Sequence, residues 1–229
     1  MSGGPTVCVI PALDAAPTVG GIARALRAAV PHAVIVGVDD GSTDATRAEL
    51  AASCDEVLAW NVNRGKGAAL RAGFDRAREL GAAAVLTIDA DGQHDPACAP
   101  AILAGLARAD VVIGTRRRER TAMPVHRRVS NALSSAAISR CAGCELPDTQ
   151  SGYRAIRREV LDAVRAEGSR YEFETDFLIR AARQGFRVAG VPVPTIYGAP
   201  SRFRELRDAL RVIGTIWRHT MWRPTRAGL

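Results

Sequence analysis

Short apolar runs alternate with segments of helical spacing through the first half of the chain, and this alternation restricts the fold to one class. Thr6 to Ile10, Val34 to Val38, Glu56 to Trp60, Ala84 to Ile88 and Val111 to Gly114 read as strands. They are mostly apolar rather than alternating in polarity, as strands covered on both faces are. Between them, Thr18 to Val30 carries Val19, Ile22, Leu26 and Val30 at helical spacing, and Gly67 to Leu80 ends at the helix-stopping Gly81. A helix near Ala97 to Ala107 and another behind Asp39-Asp40-Gly41-Ser42 complete the pattern, with Ser42 or Thr43 the predicted N-cap of the latter. The prediction is an α/β fold, a mostly parallel sheet with helices on both faces and ligands at the carboxyl ends of the strands.

The second half is less regular. A helix is predicted over His126 to Arg140, a strand over Gln150 to Ile156, a helix over Glu172 to Gln184 and a strand over Phe186 to Val193. Arg202 to His219 reads as an amphipathic helix with Leu206, Leu210, Ile213 and Trp217 on one face. We therefore expect a domain over residues 1–200 and a basic amphipathic helix and tail over 201–229.

Charge is unevenly spread. Residues 201–229 hold seven arginines against Glu205 and Asp208, most of the net charge of +7. Arg116, Arg117, Arg118, Arg120, Arg127 and Arg128 form a second basic cluster. Such clusters suit a polyanion: nucleic acid, anionic lipid or a diphosphate. Aromatic content of 5% argues against nucleic acid, which would want stacking platforms. No apolar run approaches the roughly 20 residues of a membrane span, and no secretory leader is visible. Five scattered cysteines suggest a reducing, cytoplasmic setting, and Cys141-Ala-Gly-Cys144 lacks the second pair that zinc would need.

Three segments carry chemistry. Asp89-Ala90-Asp91-Gly92-Gln93-His94 follows a strand directly and presents two carboxylates at spacing two, with Gln93 and His94 as further donors. Hard divalent cations such as Mg²⁺ and Mn²⁺ take such ligands, usually together with a phosphate. Asp39-Asp40-Gly41-Ser42-Thr43-Asp44 closes another strand, where its carboxylates could accept hydrogen bonds from a base or ribose or could simply cap a helix. Asn63-Arg64-Gly65-Lys66-Gly67 places the chain's one lysine at a helix start, a setting that suits phosphate. A GxGxxG after the first strand is missing, which argues against a dinucleotide-binding oxidoreductase.

Taken together with Val9-Ile10-Pro11-Ala12-Leu13, Gly114-Thr115-Arg116, Asp148-Thr149-Gln150-Ser151-Gly152-Tyr153-Arg154 and Tyr171-Glu172-Phe173-Glu174-Thr175-Asp176, these segments resemble the family 2 glycosyltransferases of GT-A fold over nearly the whole chain. The resemblance is strongest to the dolichyl-phosphate mannose synthase and polyprenyl-phosphate glycosyltransferase branch. It implies an inverting, metal-dependent enzyme that moves a hexose, mannose or glucose, from a nucleotide diphosphate sugar to a polyprenyl phosphate. It also implies a cytoplasmic location on the inner face of a membrane, with a separate membrane-anchor subunit as a candidate partner. The apolar face and basic flanks of the Arg202 to His219 helix suit either a lipid surface or packing on the chain's own domain with a solvated basic face. Pro11, Leu13, Val38, Asp39, Asp40 and Ala90 would border the nucleoside. Asp89 and Asp91, with Gln93, would hold Mg²⁺ or Mn²⁺ on the donor diphosphate. Lys66, Arg116 and Arg202 would meet phosphates. Gln150, Glu174 and Asp176 would border the sugar and acceptor, with Glu174 or Asp176 the base if the acceptor were an alcohol. Asp91, Arg116, Gln150, Glu174 and Asp176 are thus the expected catalytic group. Two departures stand out: Asp14-Ala15 replaces the family's usual Asn-Glu, and the loop Tyr197 to Arg202 lacks the acidic residues common there. The first motivates an alternative, a non-catalytic nucleotide-sugar-binding relative; a transferase acting on a soluble or protein acceptor is the other.

Overall fold

The computed structural model describes residues 3–116, 135–194, 196 and 213–220. Seven strands form one sheet in the order β3-β2-β1-β4-β6-β5-β7. The strands are β1 (Thr6–Ala12), β2 (Val34–Asp39), β3 (Glu56–Ala59), β4 (Ala84–Thr87), β5 (Val111–Arg116), β6 (Arg154–Arg157) and β7 (Val188–Val193). The first four pair in parallel, as their mostly apolar character predicts. β6 departs from that pattern: it lies antiparallel between β4 and β5. It therefore starts at the carboxyl ends of β4 and β5, where Thr149 to Tyr153 arrive as a loop rather than as the predicted strand.

The helices are α1 (Ala16–Ala29), α2 (Thr46–Ser53), α3 (Lys66–Glu79), α4 (Ala99–Gly105), α5 (residues 135–142), α6 (Arg158–Ala163), α7 (Glu172–Arg183) and α8 (residues 213–220). Two cores fill the two faces of the sheet. On one, Val7, Val9, Val36, Val38 and Val85 pack with Leu70, Phe74, Phe173 and Phe177 of α3 and α7. On the other, Cys8, Ile10, Ile35 and Leu86 pack with Val19, Ile22 and Leu26 of α1 and Ile102 of α4.

The α2 N-cap differs from expectation. The helix begins at Thr46 behind Ala45, without a side-chain cap. Ser42 instead accepts the Asp14 amide at 2.8 Å, and the Thr43 amide donates to the Asp14 carboxylate at 2.7 Å. The Thr46 hydroxyl accepts the Ala15 amide at 2.6 Å. Polar groups that could cap α2 are committed to fastening the β1–α1 loop to the β2–α2 loop, which fixes one wall above the sheet.

At the far end, α8 docks on α7. His219 Nε2 lies 2.6 Å from Asp176 Oδ1, and both side chains are almost fully buried. Arg183 ties the same junction together, donating to the His219 carbonyl at 2.7 Å and to the Cys141 carbonyl of α5 at 2.7 Å. Thr215 and His219 face inward, whereas Ile213 and Trp217 are exposed. The five cysteines are all free thiols. Among the described residues, no helix is long and apolar enough to cross a membrane. The predicted helix His126 to Arg140 falls mostly outside the described residues, as does Arg202 to Val212. His219→Ala should lower unfolding free energy by about 1–3 kcal/mol, because it strips a buried carboxylate of one partner; urea titration measures this directly.

Candidate active site

The carboxyl ends of β1, β2 and β4 open onto one cleft, as the parallel order requires. Asp89 follows β4, and its Oδ1 lies 2.7 Å from Lys66 Nζ at the first turn of α3. The same ammonium lies 2.8 Å from Glu174 Oε2 on α7. Arg154 of β6 completes the group with Nη2 at 3.6 Å from Glu174 Oε1. Two carboxylates and two cations, distant in sequence, form one largely buried network. Burial alone would discharge Lys66, but Asp89 and Glu174 hold the ammonium charged and its pKa well above the ordinary value. Burial likewise opposes ionisation of Asp89, and the Lys66 charge overrides it, holding the carboxyl below the usual range.

Asp91 sits differently. It is half-buried and accepts the Gln93 amide at 3.0 Å, and Gly92 between them takes φ +74°, a turn that glycine adopts at low cost. Burial, followed by the charge of Asp89, pushes its pKa upward. A third cation beside this pair would relieve that repulsion. Beside them His94 is buried against the Tyr153 ring, centroids 5.4 Å apart, with Nδ1 lacking a hydrogen-bond partner among the described residues. Burial holds its imidazole pKa below the ordinary value.

Further contacts fix this loop. Thr18 donates to the Ala90 carbonyl at 2.5 Å, anchoring the Asp89–Asp91 turn to α1. Gly152 passes so close that a Cβ there would lie 2.4–2.6 Å from the Asp89 carboxylate. Thr87 holds that strand-like approach by donating to the Gly152 carbonyl at 2.8 Å. Arg154 donates to the carbonyls of Ser151 (2.8 Å) and Thr149 (3.0 Å), so a buried guanidinium holds both neighbours of Gln150. Thr18, Gly152 and Arg154 were not among the expected site residues. Gly152 and Arg154 stand within the quoted Gln150-to-Arg154 segment, but their roles depend on β6 running antiparallel beside β4.

Several expected residues occupy supporting places. Asp40 accepts the Arg64 amide at 2.7 Å and the Gly65 amide at 2.8 Å, fastening the loop that carries Lys66. Asp39 is fully buried, accepts the Ser42 amide at 3.0 Å and pairs with Arg47 at 2.9 Å. Both carboxylates shape the cleft wall from within. Val38 is fully buried in the core, and Pro11 and Ala90 are also buried. Leu13 is half-buried at the end of β1. Arg116 forks onto Asp148, Nε to Oδ2 at 2.9 Å and Nη2 to Oδ1 at 2.7 Å, and Asp148 takes φ +28° to meet it. The Gln93 backbone carbonyl accepts the Ile196 amide at 3.0 Å.

Asp176 is not beside Glu174. Two residues along α7 turn it to the opposite side, where it accepts from His219, from Arg180 Nε at 2.7 Å and from the Glu167 amide at 2.7 Å. Burial would raise its pKa, but these bonds, His219 first, bring it below the usual range. It forms a joint between α7 and α8. Arg202 lies outside the described residues.

The family model described as Glycosyl transferase family 2 matches residues 7–165. The chain is 34% identical over 217 residues to the undecaprenyl-phosphate mannosyltransferase of Micrococcus luteus, covering 89% of this chain and 86% of that protein. It is 32% identical over 201 residues to the polyprenol monophosphomannose synthase of Mycolicibacterium smegmatis, covering 82% and 76%. Among solved structures, glucosyl-3-phosphoglycerate synthase of Mycobacterium tuberculosis in complex with Mn²⁺ and UDP superposes with TM-score 0.74 at 22% identity, over 100% of this chain and 84% of that one. The chain therefore belongs to glycosyl transferase family 2 and has the GT-A fold. It is a glycosyltransferase.

Gly152→Ala should displace the Asp89 carboxylate and cut turnover by about a hundredfold, with circular dichroism unchanged. Gly21→Ala, where a Cβ meets open space on α1, is the control that should retain full turnover.

Proposed function

We propose that this enzyme transfers a hexose, mannose or glucose, from a nucleotide diphosphate sugar to a polyprenyl phosphate, with inversion. The observation that carries the reading is the Asp89–Lys66–Glu174 network beside Asp91 at the carboxyl end of β4. The likeness to two polyprenyl-phosphate mannose transferases supports the acceptor class.

Residues present fit a divalent cation that arrives with its substrate. Among the described residues, no group of three or more His, Cys, Asp or Glu side chains could hold a metal ion. Asp89 and Asp91, with the Gln93 side chain, would supply part of an oxygen shell and the donor diphosphate the rest, as Mg²⁺ sites commonly do. When bound, Mg²⁺ or Mn²⁺ supplies positive charge to the diphosphate oxygen from which the sugar departs. Lys66 and Arg116 would add to that stabilisation.

The state of the candidate bases favours a phosphate acceptor. Asp176 is committed to His219, Arg180 and the Glu167 amide, and Glu174 is held by Lys66 and Arg154. An alcohol would need one of them to take its proton. A phosphate monoester oxygen is already anionic and needs no such base. Its attack on the anomeric carbon opposite the diphosphate forms the new C–O bond as the old one breaks, and the electron pair leaves with the nucleoside diphosphate.

A lipid acceptor brings the enzyme to a membrane surface. Ile213 at 58% and Trp217 at 63% exposure project from α8 while its other side is docked, an arrangement that suits peripheral contact with lipid. The test is transfer from radiolabelled GDP-mannose, UDP-glucose and UDP-GlcNAc to polyprenyl phosphate in anionic vesicles and in detergent micelles. Mn²⁺-dependent label in the organic phase is expected, and Ile213→Asn/Trp217→Ser should lower turnover on vesicles more than in micelles. Donor hydrolysis without lipid product would move the acceptor to a soluble molecule. Silence with every donor in folded protein would favour a non-catalytic relative and point to Ala15.

A further inference from the structure

Lys66 is more than a phosphate contact at a helix start. Its side chain is 16% exposed, and its ammonium bridges Asp89 Oδ1 and Glu174 Oε2 at 2.7 and 2.8 Å. The Gly152 backbone passes close to the same carboxylate, where a Cβ would lie 2.4–2.6 Å from it. A divalent cation approaching Asp89 therefore meets a like charge already seated on its ligand, in a place where water screens poorly. Among the described residues, no group of three or more His, Cys, Asp or Glu side chains could hold the cation without the diphosphate.

A diphosphate changes this balance. Its oxygens can complete the metal shell and also accept from an ammonium. Glu174 remains within reach of Lys66 as a second partner, so the ammonium can exchange Asp89 for a phosphate oxygen without losing all compensation. Tyr171, whose ring lies 5.7 Å from Nζ, lines the same position.

We propose that Lys66 is a positioning residue that makes metal binding at Asp89 conditional on the diphosphate: it competes with a bare divalent cation for Asp89 and yields that carboxylate when a phosphate oxygen takes the ammonium. This rests on the reading of the cleft as a metal-and-nucleotide-sugar site. It implies that the metal enters as a complex with the donor.

Mn²⁺ binding, followed by electron paramagnetic resonance on the full chain with and without GDP or UDP, tests this without reference to turnover. Wild-type protein should bind Mn²⁺ at least about tenfold more tightly with a nucleoside diphosphate than without. Lys66→Met should tighten binding of Mn²⁺ alone by about tenfold and weaken nucleoside diphosphate binding in EDTA by a similar factor. Lys66→Arg, which retains the charge, should keep the dependence on nucleotide and serves if Lys66→Met fails to fold. Nucleotide-dependent Mn²⁺ binding that Lys66→Met leaves unaltered would overturn the proposal alone, as would a Lys66→Arg protein that binds Mn²⁺ equally with and without nucleotide. Absence of Mn²⁺ binding in the wild type with either nucleotide would overturn it together with the donor-site reading.

Discussion

The ion network of Asp89, Lys66, Glu174 and Arg154 is the junction on which the rest of the structure depends. It joins the end of β4 and the start of α3, both from the first half of the chain, to β6 and α7 from the second. Each charge taken singly would be costly to bury, and the arrangement is stable because every one has an opposite neighbour and Arg154 also donates to the Ser151 and Thr149 carbonyls. Removing one partner leaves another uncompensated, which ties the geometry of the cleft to the folding of both halves. The sheet supplies the frame: the parallel strands deliver the carboxylates, and antiparallel β6 brings Gly152 and Arg154 against them.

Around this junction, polar groups are used to hold loops. Asp40 and Asp39 fasten the loops beside them, Thr18 grips the Ala90 carbonyl, and Arg154 holds both sides of Gln150. The result is a cleft whose backbone is fixed before substrate arrives, with Asp91 as the carboxylate whose charge is least compensated by its neighbours. Such preorganisation is what electrostatic stabilisation of a departing diphosphate requires.

Much of the fold was legible in the chain. Mostly apolar runs gave the parallel strands, and Gly81 ended α3 where expected, at φ +68° just past the helix. The antiparallel β6 was not legible, because the same short β-rich segment reads alike in either direction and only its partners decide. Ser42 and Thr43 looked like N-caps, and tertiary bonds to Asp14 claimed them instead. Within the site, Asp89, Asp91 and Lys66 were expected by position at strand and helix ends, whereas the salt bridge between Lys66 and Asp89 depends on how α3 packs across β1 and β2. Glu174 and Asp176 could not be distinguished by motif alone. Helical geometry separates them, placing one in the cleft and the other at the α8 joint.

The most direct measurement of the central claim, that the Asp89–Asp91 turn is a divalent-metal donor site, is release of nucleoside diphosphate from the donor that proves active, with EDTA and with added Mn²⁺, in wild type and in Asp91→Ala. The account predicts release that EDTA abolishes and Mn²⁺ restores in the wild type, and none in an Asp91→Ala protein that melts as the wild type does. Release that survives both EDTA and Asp91→Ala would contradict it.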